Sequence, residues 1–100
     1  VSCKVRFTEI ALEDLLRLYQ FLADEDEEAA RHARDAIDKA IGVLADMPYV
    51  GRVIDRNHPL MRELIIAFGS SGHVALYEIE AESLVTVHAF RHQRERDYYL

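Results

Sequence analysis

The sequence predicts an α+β fold: an N-terminal strand, an antiparallel helical hairpin and then a three-stranded antiparallel meander, in the order β-α-α-β-β-β. Three observations carry this reading. Val1, Cys3, Val5 and Phe7 alternate with polar residues, the period of a strand with one buried face. Residues 9–46 instead repeat their apolar positions every three or four residues, as a helix does. From Met61 onward, short apolar runs are separated by Gly/Ser and Ala-Glu-Ser links, too short for anything but antiparallel connections. Helices that come first and strands that follow place the hairpin on one sheet face and leave the other partly open. The 100 residues make one domain, 1–100, with no internal repeat and no linker.

Each element has a local cause. Thr8 can cap the first helix, and Glu9 and Glu13 suit its positive end. Leu12, Leu15, Leu16, Tyr19 and Leu22 then form its expected buried face, and the helix is expected over Glu9–Ala23. Asp24–Glu28 is a run of acids, read as a solvated turn with Asp24 or Asp26 near the next cap; it lacks the glycine and spacing of a calcium loop. The second helix carries Ala29, Ala33, Ala36, Ile37, Ala40, Ile41 and Leu44, and its small alanines permit close helix approach. Pro48 and Gly51 end it. Val53–Leu60 reads as a polar loop, followed by strands over Met61–Phe68, His73–Glu80 and Leu84–Arg91, with Gly69-Ser70-Ser71-Gly72 as a hairpin turn. The tail His92–Leu100 is polar, then aromatic.

Composition narrows the function classes. Half of the residues are hydrophobic and 30% charged, a globular balance, and no apolar run approaches the ~20 residues that cross a bilayer. Val1–Lys4 does not lead a charged segment into an apolar stretch, so no secretory signal is expected. The single cysteine, Cys3, fits a buried structural thiol in a reducing cytoplasm. Net charge is −6, which argues against non-specific nucleic-acid binding. That charge is uneven: residues 1–50 hold six basic against eleven acidic residues, residues 51–100 six against seven. All six basic residues of the second half are arginines, suited to forked contacts with carboxylate or phosphate.

No cofactor or metal site is expected. His88 and His92 are four apart, but in a strand that spacing spans roughly 13 Å, too far to share one ion. The suggestive set is Arg62 and Glu63 at the start of the first meander strand, Arg91 and His92 at the end of the last, and Arg94, Arg96, Tyr98 and Tyr99 on the tail. The functional reading is an anionic-ligand site on the open sheet face; the alternative is solvated charges with a local Arg62–Glu63 pair. In a meander the first and third strands run the same way, so these two pairs start at opposite ends of the sheet.

An ordered set of features resembles the RelE/ParE toxin superfamily over almost the whole chain. They are Ala11, Asp14, Leu15 and Tyr19 in the first helix; Leu44 and Pro48; Gly51-Arg52; Arg62-Glu63-Leu64; Phe68-Gly69-Ser70-Ser71-Gly72-His73-Val74-Ala75-Leu76-Tyr77; and Ala89-Phe90-Arg91-His92-Gln93-Arg94-Glu95 followed by Tyr98. The resemblance implies a growth-inhibiting cytoplasmic toxin of a type II toxin–antitoxin system, of the kind associated with plasmid stabilisation, neutralised in a complex by an antitoxin encoded beside it. RelE-like members cleave messenger RNA in the ribosome; Arg62 and Arg91 would then clamp phosphate, and His92, Glu63 or Tyr99 would move protons. ParE-like members inhibit DNA gyrase by binding. Antitoxin or target contacts would fall on Arg52, Arg62, Glu63, Arg91, Arg94, Arg96 and Tyr98. The acidic charge, and the lack of any lysine beyond Lys39, point to the ParE-like branch.

Overall fold

A computed structural model describes residues 2–68 and 71–92. The elements follow the expected order: β1 (Lys4–Phe7), α1 (Glu9–Glu25), α2 (Glu27–Asp46), a short 3₁₀ turn (Pro48–Val50), β2 (Arg52–Val53), β3 (Met61–Phe68), β4 (Ser71–Ala81) and β5 (Leu84–His92). They form one sheet in the order β1-β5-β4-β3-β2, with β3, β4 and β5 as an antiparallel meander. β1 joins it parallel to β5, in a register that aligns Lys4 with Leu84 and Phe7 with Val87.

The helical hairpin is tighter than the sequence suggests. α1 runs on to Glu25, two residues beyond the expected Ala23. A single residue, Asp26, separates the helices: its N–H donates to the Leu22 carbonyl (2.7 Å), and its side chain accepts the Glu28 N–H (3.0 Å). One extended residue therefore ends one helix and caps the next. At the other end of α1, the Thr8 hydroxyl accepts the Ala11 N–H at 3.1 Å, as its position predicts.

The hairpin lies on the sheet face bearing Ile66, Ala75, Tyr77, Ile79, Val85, Val87 and Phe90, with Ile37, Ala40 and Leu44 from α2. Each large side chain buried here contributes about 1.5–3 kcal/mol. The expected face of α1 needs correction. Ala11 and Asp14 are buried, Leu15 and Leu18 pack against the core, and Leu12 and Leu16 are 52% and 58% exposed. The helix is turned so that the small Ala11 meets the sheet, which admits close approach where leucine would not fit.

Two further differences sit in the sheet. Arg52–Val53 pairs with Arg62 and Glu63 as a short edge strand inside the region read as a loop. The β4–β5 ladder also shifts register between Leu76 and Tyr77, where Leu76 faces Ala89 but Tyr77 faces Val87. His88 is the extra residue of this bulge. Among the described residues, no helix is long and apolar enough to cross a membrane.

Candidate functional site

β1 pairs with β5 only as far as Val87, so beyond it the edge of β5 needs other partners. α1 supplies them. The Thr8 hydroxyl donates to the His88 carbonyl (3.1 Å), and Asp14 Oδ2 accepts the Phe90 N–H (3.0 Å). The same carboxylate accepts from the Arg91 guanidinium, and its second oxygen from Arg17. Asp14 is only 5% exposed. A buried carboxylate persists only when its lone pairs are met by hydrogen bonds and charge, as they are here. Arg91, expected on the open sheet face, instead bends along the edge of β5 onto α1.

At the opposite edge, Arg62 acts as a brace. Its Nε donates to the Pro59 carbonyl (3.0 Å), while one terminal nitrogen donates to the carbonyls of Tyr49 (2.9 Å) and Gly51 (3.0 Å). The guanidinium also lies 5.1 Å from the centre of the Tyr49 ring. The local Arg62–Glu63 pair is not what forms. Neighbours in a strand point to opposite faces, and Glu63, 6% exposed, is paired with Arg52, its register partner on β2.

Tyr77 completes this corner. Its hydroxyl donates to the Pro48 carbonyl (2.7 Å) and accepts the Gly51 N–H (2.8 Å). Burial pushes its pKa above the ordinary tyrosine value, against the opposing pull of the Gly51 hydrogen bond and the Arg62 charge. The hydroxyl therefore stays neutral and able to donate.

The sheet face away from the helices carries a polar ladder. Glu80 accepts from Thr86 and from Arg6, each at 2.7 Å, and Glu78 faces His88 at 3.0 Å. The Thr86 hydrogen bond first, and then Arg6, hold the Glu80 carboxyl below the usual glutamate range. On the other side of the sheet, in phase with Ala75 and Tyr77, His73 and His92 meet edge to face across β4–β5, 5.1 Å between ring centres. Among the described residues no group of three His, Cys, Asp or Glu side chains is placed to hold a metal.

The structure thus separates the expected arginine pairs. Arg62 aligns with Tyr77 and Arg91 with Val74, two strands apart and three residues apart along β4. Three residues along and two strands across put their backbones roughly 14 Å apart. Arg94, Arg96, Tyr98 and Tyr99 lie outside the described residues. Asp14 was missed as a site residue. Its signal was a lone acid between Ala11 and Leu18 on the arc that faces the sheet.

Fold and site together define a small α+β domain in which Arg52, Arg62 and Arg91 are committed to holding the two sheet edges. The chain belongs to the ParE toxin family of type II toxin–antitoxin systems, whose family model matches residues 5–97. A curated relative, Toxin RelE3 of Caulobacter vibrioides, is 34% identical over 86 residues, covering 86% of this chain and 89% of the relative. Among solved structures, the chromosomal ParDE toxin–antitoxin system of P. aeruginosa superposes with a TM-score of 0.69 at 16% identity, over 91% of this chain and 96% of that one. A mutant of the E. coli toxin RelE in the free state also gives 0.69, at 17% identity over 99% and 92%. These structures share the fold. The chain is therefore a toxin component of the ParE/RelE superfamily, a family that implies a cognate antitoxin partner.

Proposed function

We propose that this toxin acts in the cytoplasm by binding DNA gyrase, not by cutting RNA. The carrying observation is the state of its arginines. Phosphodiester cleavage needs cations aimed at a phosphate whose charge grows in the transition state. Arg91 is held by the buried Asp14 carboxylate, Arg62 by three backbone carbonyls, and Arg52 by Glu63. Moving Arg91 onto a phosphate takes from a buried carboxylate one of its two arginine partners, leaving it to Arg17 and the Phe90 N–H, and so has a cost. The net charge of −6 further opposes docking on ribosomal RNA. Purified toxin added to gyrase and relaxed plasmid is expected to block supercoiling or trap cleaved DNA. Unchanged supercoiling with no trapped DNA contradicts the proposal.

The second reading, a ribosome-dependent endoribonuclease, is favoured by the RelE name of the curated relative and by Arg91 and His92 standing together at the end of β5. On that reading Arg62, Arg91, His92 and Tyr99 carry the chemistry. Messenger cleavage by the wild type, lost in His92→Ala at an unchanged urea midpoint, would establish it. In either case Arg52, Glu63, Arg94, Arg96 and Tyr98 are proposed to add contacts to antitoxin or target.

A further inference from the structure

The outer edge of β3 is only partly covered. β2 pairs with it at Arg62 and Glu63 and ends there, while β3 runs on to Phe68. Strand residues direct their backbone N–H and C=O to alternate sides. The Leu60 carbonyl accepts the Ile79 N–H on the β4 side (2.9 Å), and the Met61 N–H turns the other way, to the His58 carbonyl (3.0 Å). The β3–β4 register then runs without a shift from Met61 to Phe68, so Glu63, Ile65 and Ala67 also address the outer edge. Arg52 on β2 takes Glu63. Ile65 and Ala67 have no backbone partner on that side among the described residues.

This edge carries none of the usual protections. Leu64-Ile65-Ile66-Ala67-Phe68 has no proline, no charge and no bulge. Ile65 is 45% exposed, and Ala67 is exposed beside it on the face away from the helices. Such an edge is a template for another strand.

Charge and symmetry choose that strand. Residues 64–77 hold no Asp, Glu, Lys or Arg, although the chain carries −6 overall. Two copies of an acidic protein repel, and this uncharged stretch lets them approach at least cost. A second copy also brings the matching edge. In an antiparallel pair centred on Ile66, Ile65 faces the partner's Ala67 and Ala67 faces the partner's Ile65. All of these are turned outward, so each pair exchanges two hydrogen bonds. A slip of one residue sets an outward residue against one turned to β4, and the bonds are lost. A slip of two towards β2 sets the partner's Ala67 against Glu63, whose outer side β2 already holds. The two-fold relation closes on itself and leaves no further β3 edge to propagate.

We propose that this toxin self-associates through β3, two copies joining their Leu64–Phe68 edges into one continuous sheet. The pairing is independent of the target on which the toxin acts.

Sedimentation equilibrium of the full chain, without antitoxin, tests this across a concentration series, with urea midpoints confirming that each variant folds. The wild type is expected to shift from monomer to dimer. Ala67→Pro removes one N–H donor from each of the two pairs, and Ile65→Lys places a charge on the edge of both copies. Each is expected to weaken the dimer at least about ten-fold, and Ile65→Lys carries the test should the proline variant not fold. Leu16→Lys, on the exposed face of α1, is expected to leave the dimer unchanged. Amide exchange at Ile65 and Ala67 should slow as concentration rises. A monomer up to about 100 μM overturns the proposal. So does a dimer that both edge variants leave intact, or one that Leu16→Lys dissolves. An edge that serves an antitoxin strand instead gives a monomeric wild type whose antitoxin affinity falls in Ile65→Lys, and overturns it too.

Discussion

Tyr77 spends one hydroxyl on two backbone groups, and Gly51 is what makes that possible. A Cβ at position 51 would stand 2.5 Å from the Tyr77 hydroxyl and 2.7 Å from the Glu63 carbonyl oxygen. The second of these is backbone in the middle of the sheet and has nowhere to go. Gly51→Ala is therefore expected to destabilise by about 1–3 kcal/mol, the cost of overpacking with a strained hydrogen bond. The denaturant midpoint checks this, and an unchanged midpoint means the corner is looser than described. Position 51 was legible as a turn from Pro48 and Gly51 alone. The reason that only glycine fits was not, because the atoms that forbid a side chain belong to Tyr77 and Glu63, far along the chain. The same distance in sequence hid the role of Asp14, whose partners Phe90 and Arg91 lie on the last strand.

At the scale of elements, α1 does two things at once: it covers the core and it closes the edge of β5. Its apolar periodicity announces the first role. Because leucines ring most of the helix, periodicity could not say which arc faces the sheet, and Leu12 and Leu16 were placed inside when they lie outside. Asp14 performs the second role by accepting the Phe90 N–H that β1 is too short to reach. Asp14→Ala leaves that N–H without this acceptor and is expected to cost about 2–3 kcal/mol; Asp14→Asn, whose amide oxygen still accepts, is expected to cost less. Hydrogen exchange at the Phe90 amide reads this directly. It should accelerate strongly in Asp14→Ala, and unaltered protection would show that the carboxylate does not close the edge. β2 escaped notice for a simpler reason, since a strand of Arg52 and Val53 is too short to show any period.

For the whole molecule, the arrangement of strand, helical hairpin and meander was readable because each level agreed with the next: alternation, helical spacing, caps and short links all specify the same fold. The site was less readable. The arginine-only second half was visible, but sequence cannot show whether an arginine faces solvent or carries a structural load. Three of the six lie in the described sheet edges and are committed to carboxylates or carbonyls. What remains outward is an acidic body with exposed apolar side chains at Met47, Tyr49, Val50, Val53 and Leu60. On the reading proposed above, the toxin works by docking onto other proteins.

The most direct test of that claim is induction of the toxin alone in growing cells, with translation and the DNA-damage response followed separately. A binding toxin of gyrase should raise the damage response first while messenger RNA stays intact. Co-expression of the adjacent antitoxin should restore growth. Early loss of translation with cleaved ribosome-bound messenger, and no damage response, would contradict the account.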